Sequence, residues 1–188
     1  MNMLSAKRAG ILVSDQESDY ICDLIAGVRE ECSLHGIDVI VFPAREKNYP
    51  FRNCEYQHYF LRQLISKESC DFLIVASGTQ CHYIAQEDFF QSLYNINLPI
   101  VSIALPVPSI SSIIVNNEQA FSILLEHLYT LHNRRKFAFI KSEVESPESE
   151  ERYNSYCSFL KSKNLDPSQF PVFYGNYSYE SAYKIFST

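Results

Sequence analysis

Short apolar runs alternate with amphipathic helical segments along this chain, and the stretch Leu98–Ile140 shows the alternation most plainly. It reads LPIVSIALPVPSISSIIVNNEQAFSILLEHLYTLHNRRKFAFI: two β-type runs, an Asn-Asn turn, an amphipathic segment, then Arg-Arg-Lys leading into a third apolar run. A strand, a helix and a strand at this spacing need a crossover. That connection sets the two strands parallel, with the helix on the face of the sheet.

The same rhythm holds in both directions. Ala9–Val13 predicts a first strand. A helix follows over Tyr20–His35, with Ile21, Leu24, Ile25, Val28 and Cys32 on one stripe at helical spacing. Gly36 stands where a helix end takes a left-handed residue. Strands are predicted at Ile37–Phe42, Phe72–Ala76, Ile100–Ile103, Ser112–Val115, Lys136–Ile140 and Pro171–Tyr174. Helices are predicted at Cys54–Ser66, Gln86–Tyr94, from a cap at Asn117 to Leu131, over Glu148–Lys163 behind the start signal Ser146-Pro147, and over Tyr179–Phe186. The expected fold is α/β, a doubly wound parallel sheet with an incomplete second lobe. Residues 1–116 form the first lobe and 117–188 a partial second one, with the crossing near Val115–Asn117. Two strands make a poor sheet alone.

Composition narrows the function. The net charge of −6 lacks the basic footprint of a nucleic-acid surface, so no direct nucleic-acid contact is expected. Glu143, Glu145, Glu148, Glu150 and Glu151 read as a solvated loop and first helical turn. The apolar run after Lys7 and Arg8 stops at Val13, too short for a membrane span. Six cysteines without a Cys-x-x-Cys pair read as reduced thiols of a cytoplasmic protein. The five glycines form no phosphate loop and no Gly-x-Gly-x-x-Gly, and there is no Gly-x-Ser-x-Gly elbow. His35, His58, His82, His127 and His132 show no metal-ligand spacing. No catalytic residue, cofactor or metal site is expected.

Several segments carry a family likeness. GILVSDQESDY, the helix ending in glycine before IDVIVF, DFLIVASG, LPIVSI, SIIVNNEQA, EHLYTLHNRRKFAFI, SEERYNSY and YGNYSYESAY stand in this order between Gly10 and Phe186. They resemble the regulatory domain of lac-repressor-type transcription factors, which is similar to type I periplasmic binding proteins. The resemblance stops short of that domain's usual end. SCDFLIVASGTQCHYIAQEDF together with LPIVSIALPVPSISSIIVNN is especially similar to the subgroup that stands at the N-terminus of cytoplasmic signalling proteins. There the resemblance implies a GGDEF-type diguanylate cyclase as output.

In an open parallel sheet, ligands bind beyond the carboxyl ends of the strands. Those ends supply Ser14, Asp15 and Ser18; Ser77, Gly78 and Thr79; Asn116; Ser142; and Asn176 and Tyr177. Short hydroxyl and amide groups suit a polar neutral ligand, and they equally suit turns. Glu151-Arg152-Tyr153-Asn154-Ser155-Tyr156 resembles the family's Arg-x-x-Gly-Tyr/Phe pattern, which implies that Arg152 bonds ligand hydroxyls. Ser155 stands at the usual glycine, and Asn116 at the family's usual aspartate. The competing reading of Arg152 is a surface ion pair with Glu148 or Glu151. The expected ligand-binding set is Asp15, Ser18, Ser77, Gly78, Thr79, Asn116, Arg152 and Asn176. The expected function is a sensor whose lobes close on a sugar, nucleoside or similar molecule about a hinge at Val115–Asn117, acting as a homodimer. The alternatives are the effector-binding domain of a lac-repressor-type regulator, or a ligand-free dimerisation module using the aromatic face of the helix Cys54–Ser66. An enzyme without a recognised motif is a third reading.

Overall fold

A computed structural model describes residues 6–14, 16, 18–45, 55–81, 83–142, 146–175 and 179–187. The chain divides into two compact units, Met1–Ile114 and Val115–Thr188.

The first unit runs β1 (Arg8–Val13), α1 (Asp19–Leu34), β2 (Asp38–Pro43), α2 (Glu55–Gln63), β3 (Phe72–Val75), a 3₁₀ turn (Ser77–Thr79), α3 (Gln86–Tyr94), β4 (Ile100–Ile103) and β5 (Ser111–Ile113). Its strands form one sheet in the order β2-β1-β3-β4-β5, and every pairing is parallel. The order reverses between β1 and β3, the position at which such sheets open a crevice beyond their carboxyl ends.

Alternation along the strands builds a core on each face. Leu12, Leu73 and Val75 pack on one side with Phe89 and Leu93 of α3 and Leu61 of α2. Ile11, Val13 and Ile74 pack on the other with Ile21, Leu24, Ile25 and Val28 of α1. Burial on both faces is why β1 reads as a continuous apolar run. The stripe expected of the first helix is the one that α1 turns to the sheet. Gly36 closes this segment with a φ of +64°.

The second unit runs α4 (Asn117–Thr130), β6 (Phe139–Ser142), α5 (Pro147–Ser162), β7 (Val172–Gly175) and α6 (Tyr179–Ser187). β6 and β7 pair in parallel. Leu125, Phe139, Tyr156, Phe159 and Leu160 form the core between α4, α5 and this sheet. Phe139 is its aromatic hub, with ring centroids 5.1 Å from Tyr156 and 6.0 Å from Phe121.

Several boundaries differ from expectation: α2 ends at Gln63 and not Ser66, and β5 covers Ser111–Ile113 and not Ser112–Val115. β6 begins at Phe139 and not at Lys136, because pairing starts where the Phe139 N–H reaches the Pro171 carbonyl at 3.1 Å. Upstream, Arg135 turns back, donating to the Tyr129 carbonyl at 2.7 Å. The cap of α4 is Asn116 and not Asn117: the Asn116 side chain accepts from the Gln119 N–H at 3.0 Å. Among the described residues, no helix is long and apolar enough to cross a membrane. Cys22, Cys32, Cys70 and Cys157 are free thiols.

Candidate functional site

In the second unit the polar groups gather where β6 gives way to α5. Ser146 opens that helix by accepting from the Ser149 N–H at 3.4 Å, with Pro147 in the first turn. This start sets Glu148, Glu151 and Arg152 on the opening turns.

Arg152 Nε donates to Asn117 Oδ1 at 2.8 Å, and Asn117 Nδ2 donates to Glu151 Oε2 at 3.1 Å. Arg152 Nη2 lies 3.5 Å from Glu148 Oε2. Asn117 is only 5% exposed, so this network ties the first turn of α4 to α5. The ion pair of the competing reading thus forms with Glu148, while Glu151 accepts from Asn117. A guanidinium held on one side by an amide and a carboxylate is oriented before any ligand arrives, which lowers the entropy lost on binding.

Arg152 borders a cavity of about 560 Å³. Its apolar wall includes Phe121 and Leu125 of α4, and its polar wall Lys141 and Ser142 of β6 with Ser149 of α5. Lys141 Nζ is paired with Glu150 at 2.6 Å, and that hydrogen bond holds its ammonium above the usual lysine range. The Ser142 N–H donates to Ser149 Oγ at 3.1 Å. Tyr156 also lines the cavity, and its buried hydroxyl has no hydrogen-bond partner among the described residues. Burial, then the neighbouring Cys157 and Tyr153, push the Tyr156 phenol up to about 12.

In the first unit, the residues after β1 and β3 serve their own turns. Ser18 caps α1, accepting from the Ile21 N–H at 3.3 Å. Ser77 is fully buried, with its Oγ 2.8 Å from Ser102 Oγ and 3.4 Å from the Val75 carbonyl. Thr79 Oγ1 donates to the Ala76 carbonyl at 3.0 Å. Gly78 packs so close to Ala104 that an added Cβ would lie 2.7 Å from the Ala104 Cβ. Asn116, at the start of the second unit, is exposed and occupied with Gln119. Asp15, Asn176 and Tyr177 lie outside the described residues.

Residue types alone did not point to two of these polar partners. Asn117 read as a cap, and only the packing of α4 on α5 makes it the partner of Arg152. Gln80, fully buried, donates to the Ala44 carbonyl at 3.0 Å and accepts from Arg62, which also donates to the Arg45 carbonyl at 2.8 Å. No local pattern announces that network, because its members lie up to 36 positions apart.

The fold is shared with several solved structures. A LacI-family transcriptional regulator from Mycobacterium smegmatis superposes with a TM-score of 0.73 at 22% identity, over 95% of this chain and 60% of its own. The Cra transcriptional dual regulator from Pseudomonas putida, in complex with fructose 1-phosphate, gives 0.72 at 18% identity, over 96% and 62%. A periplasmic binding protein/LacI transcriptional regulator from Alkaliphilus metalliredigens, complexed with D-xylulofuranose, gives 0.67 at 17% identity, over 92% and 57%. The chain therefore spans between 57% and 62% of the length of these three proteins. No family model and no curated protein matches the sequence. The likeness establishes an α/β, parallel-sheet architecture of the kind found in LacI-family regulators and periplasmic binding proteins.

Proposed function

We propose that this chain is the small-molecule-sensing part of a cytoplasmic regulatory protein and that it acts by binding, not by catalysis. The observation that carries this reading is Arg152, oriented by Asn117 and Glu148 beside a cavity of about 560 Å³ where α5 follows β6. A planar fork of donors recognises paired oxygens, such as vicinal hydroxyls. The ligand is a polar small molecule, a sugar, nucleoside or similar compound. The complexes of the similar folds with D-xylulofuranose and fructose 1-phosphate support the sugar class. Asp15, Ser18, Gly78, Thr79, Asn116 and Asn176 are the further proposed contacts, with the hydroxyl of Ser77 supporting its turn from within. Residues 1–116 and 117–188 act as the two lobes of this sensor, and a ligand that binds one arrangement better than another shifts the population toward it. Coupling to a GGDEF-type output rests on the sequence segments Ser69–Phe89 and Leu98–Asn117. A transcriptional output is the alternative.

The test is a thermal-shift screen of the full chain against ribose, fructose, fructose 1-phosphate and adenosine, with calorimetric titration of any hit. A ligand at 100 times its Kd stabilises by about 2.7 kcal/mol. Arg152→Ala is expected to abolish the response. A hit that survives unchanged in that variant removes Arg152 from the site, and a silent panel overturns the sugar and nucleoside assignment.

One observation favours a second reading. Tyr56, Tyr59, Phe60 and Leu64 on and just after α2 are 59–62% exposed, an apolar face suited to self-association. Dimers that persist on dilution, without any ligand response, select the dimerisation module.

A further inference from the structure

The end of α4 brings together two histidines that sequence spacing does not pair. His127 lies in the last turn of the helix, and His132 lies beyond its end. The Leu131 N–H bonds the His127 carbonyl at 3.0 Å, and the His132 N–H reaches the same carbonyl at 3.4 Å. Asn133 then takes a left-handed φ of 49°, and the Arg134 N–H closes on the Leu128 carbonyl at 2.9 Å. Within this turn the His132 ring meets the His127 ring. Their Nε2 atoms stand 3.0 Å apart, with ring centroids 4.8 Å apart and planes at 66°. Both residues are exposed, and neither lines the cavity beside Arg152.

Two imidazole nitrogens at this distance share one proton, donated by one ring and accepted by the other. We propose that the pair is a chelating site for a divalent transition metal of the Ni(II) class, which takes the place of that proton between the two Nε2 atoms. The ring that gives up its Nε2 proton carries it on Nδ1 instead, so both ligands remain neutral and no proton is lost. With metal–nitrogen bonds of about 2.05 Å, nitrogens 3.0 Å apart subtend about 94° at the ion. That is the cis angle of a tetragonal or octahedral site, the geometry of Ni(II) and Cu(II). A tetrahedral zinc site would need the nitrogens about 3.3 Å apart. Water completes the coordination on the exposed side.

The surroundings favour the ion on two counts. The carbonyls at the C-terminus of α4 present the negative end of the helix dipole. Arg135, in the same turn, is engaged elsewhere: its guanidinium lies 3.7 Å from the Tyr129 ring centroid and donates to the Tyr129 and Arg134 carbonyls. The closed turn has already fixed the backbone that presents both rings, so the second imidazole binds as an intramolecular ligand at high effective concentration.

The test is calorimetric titration of the reduced full chain with NiCl₂, since the free thiols would reduce Cu(II). His127→Gln, His132→Gln and a distant control, His35→Gln, are measured beside it, with far-UV circular dichroism to confirm folding. Saturable binding of one ion is expected, weakened by at least about tenfold in either His127→Gln or His132→Gln and by less than about twofold in His35→Gln. No saturable binding up to about 1 mM, or a smaller loss in either histidine variant, overturns the chelate.

Discussion

Tyr156→Phe should stabilise the protein. The side chain is 2% exposed, and its ring packs against Phe139 at 5.1 Å between centroids. Its hydroxyl has no hydrogen-bond partner among the described residues. An unmade hydrogen bond at a buried donor costs about 1–3 kcal/mol, while phenylalanine keeps the same ring in the same place. Local relaxation recovers part of that, so the expected gain is about 1 kcal/mol at neutral pH. The gain should grow with alkali. Burial pushes the folded-state phenol up to about 12, against 10.0 for an ordinary tyrosine. The unfolded chain then loses this proton first, and the stability tied to the neutral phenol falls as the pH rises from 10.0 toward about 12. Phenylalanine has no proton to lose, so the variant's advantage widens across that window. Urea unfolding followed by circular dichroism at pH 7.5 and pH 11 measures both effects. The chain has two compact units, and the transition to follow is the one that Leu160→Ala, a core lesion in the second unit, also shifts. A Tyr156→Phe variant that is destabilised by about 1 kcal/mol or more would show that the hydroxyl is bonded, and would refute the reasoning.

Other substitutions probe the rest of the frame. Gly78→Ala should cost about 1–3 kcal/mol in the first unit, because its Cβ would sit 2.7 Å from the Ala104 Cβ and Ala104 is itself held at a φ of 67°. Gly27→Ala, inside α1 with open space around its Cβ, should instead stabilise by about 0.5–1 kcal/mol; thermal melts of the two variants should move in opposite directions. Asn116→Ala should cost about 1 kcal/mol by removing the cap of α4, whereas Asn116→Ser should be close to neutral in the same melts.

Much of the fold was legible in the residues because its causes are local. Helical spacing of Ile21, Leu24, Ile25 and Val28 marks the face that α1 turns to the sheet. Ser146 followed by Pro147 marks the start of α5 within a residue. The unbroken apolar runs of β1 and β3 announce strands buried on both sides. The candidate site was legible only in part. Arg152 stands where a family pattern pointed, and its ion pair with Glu148 follows from their spacing on one helix. Ser77 illustrates the limit: a polar residue after a strand reads the same whether it faces a ligand or, as here, lies fully buried against Ser102.

By itself, then, the sequence determined which segments are strands and helices, which faces are apolar and where most helices begin, since periodicity and capping act within a few residues. Tertiary structure alone decided the strand order β2-β1-β3-β4-β5 and hence where the sheet reverses. It alone decided that Asn117 steadies Arg152, that Gln80 is buried against Ala44 and Arg62, and that the Tyr156 hydroxyl has no partner among the described residues. The pairing of His127 with His132 comes from the turn that ends α4, where the Leu131 and His132 N–H groups both bond the His127 carbonyl, and the four residues between the histidines do not announce it. In each case the partner is chosen by chain reversal and packing, and a polar side chain carries no record of which distant group will be within its reach.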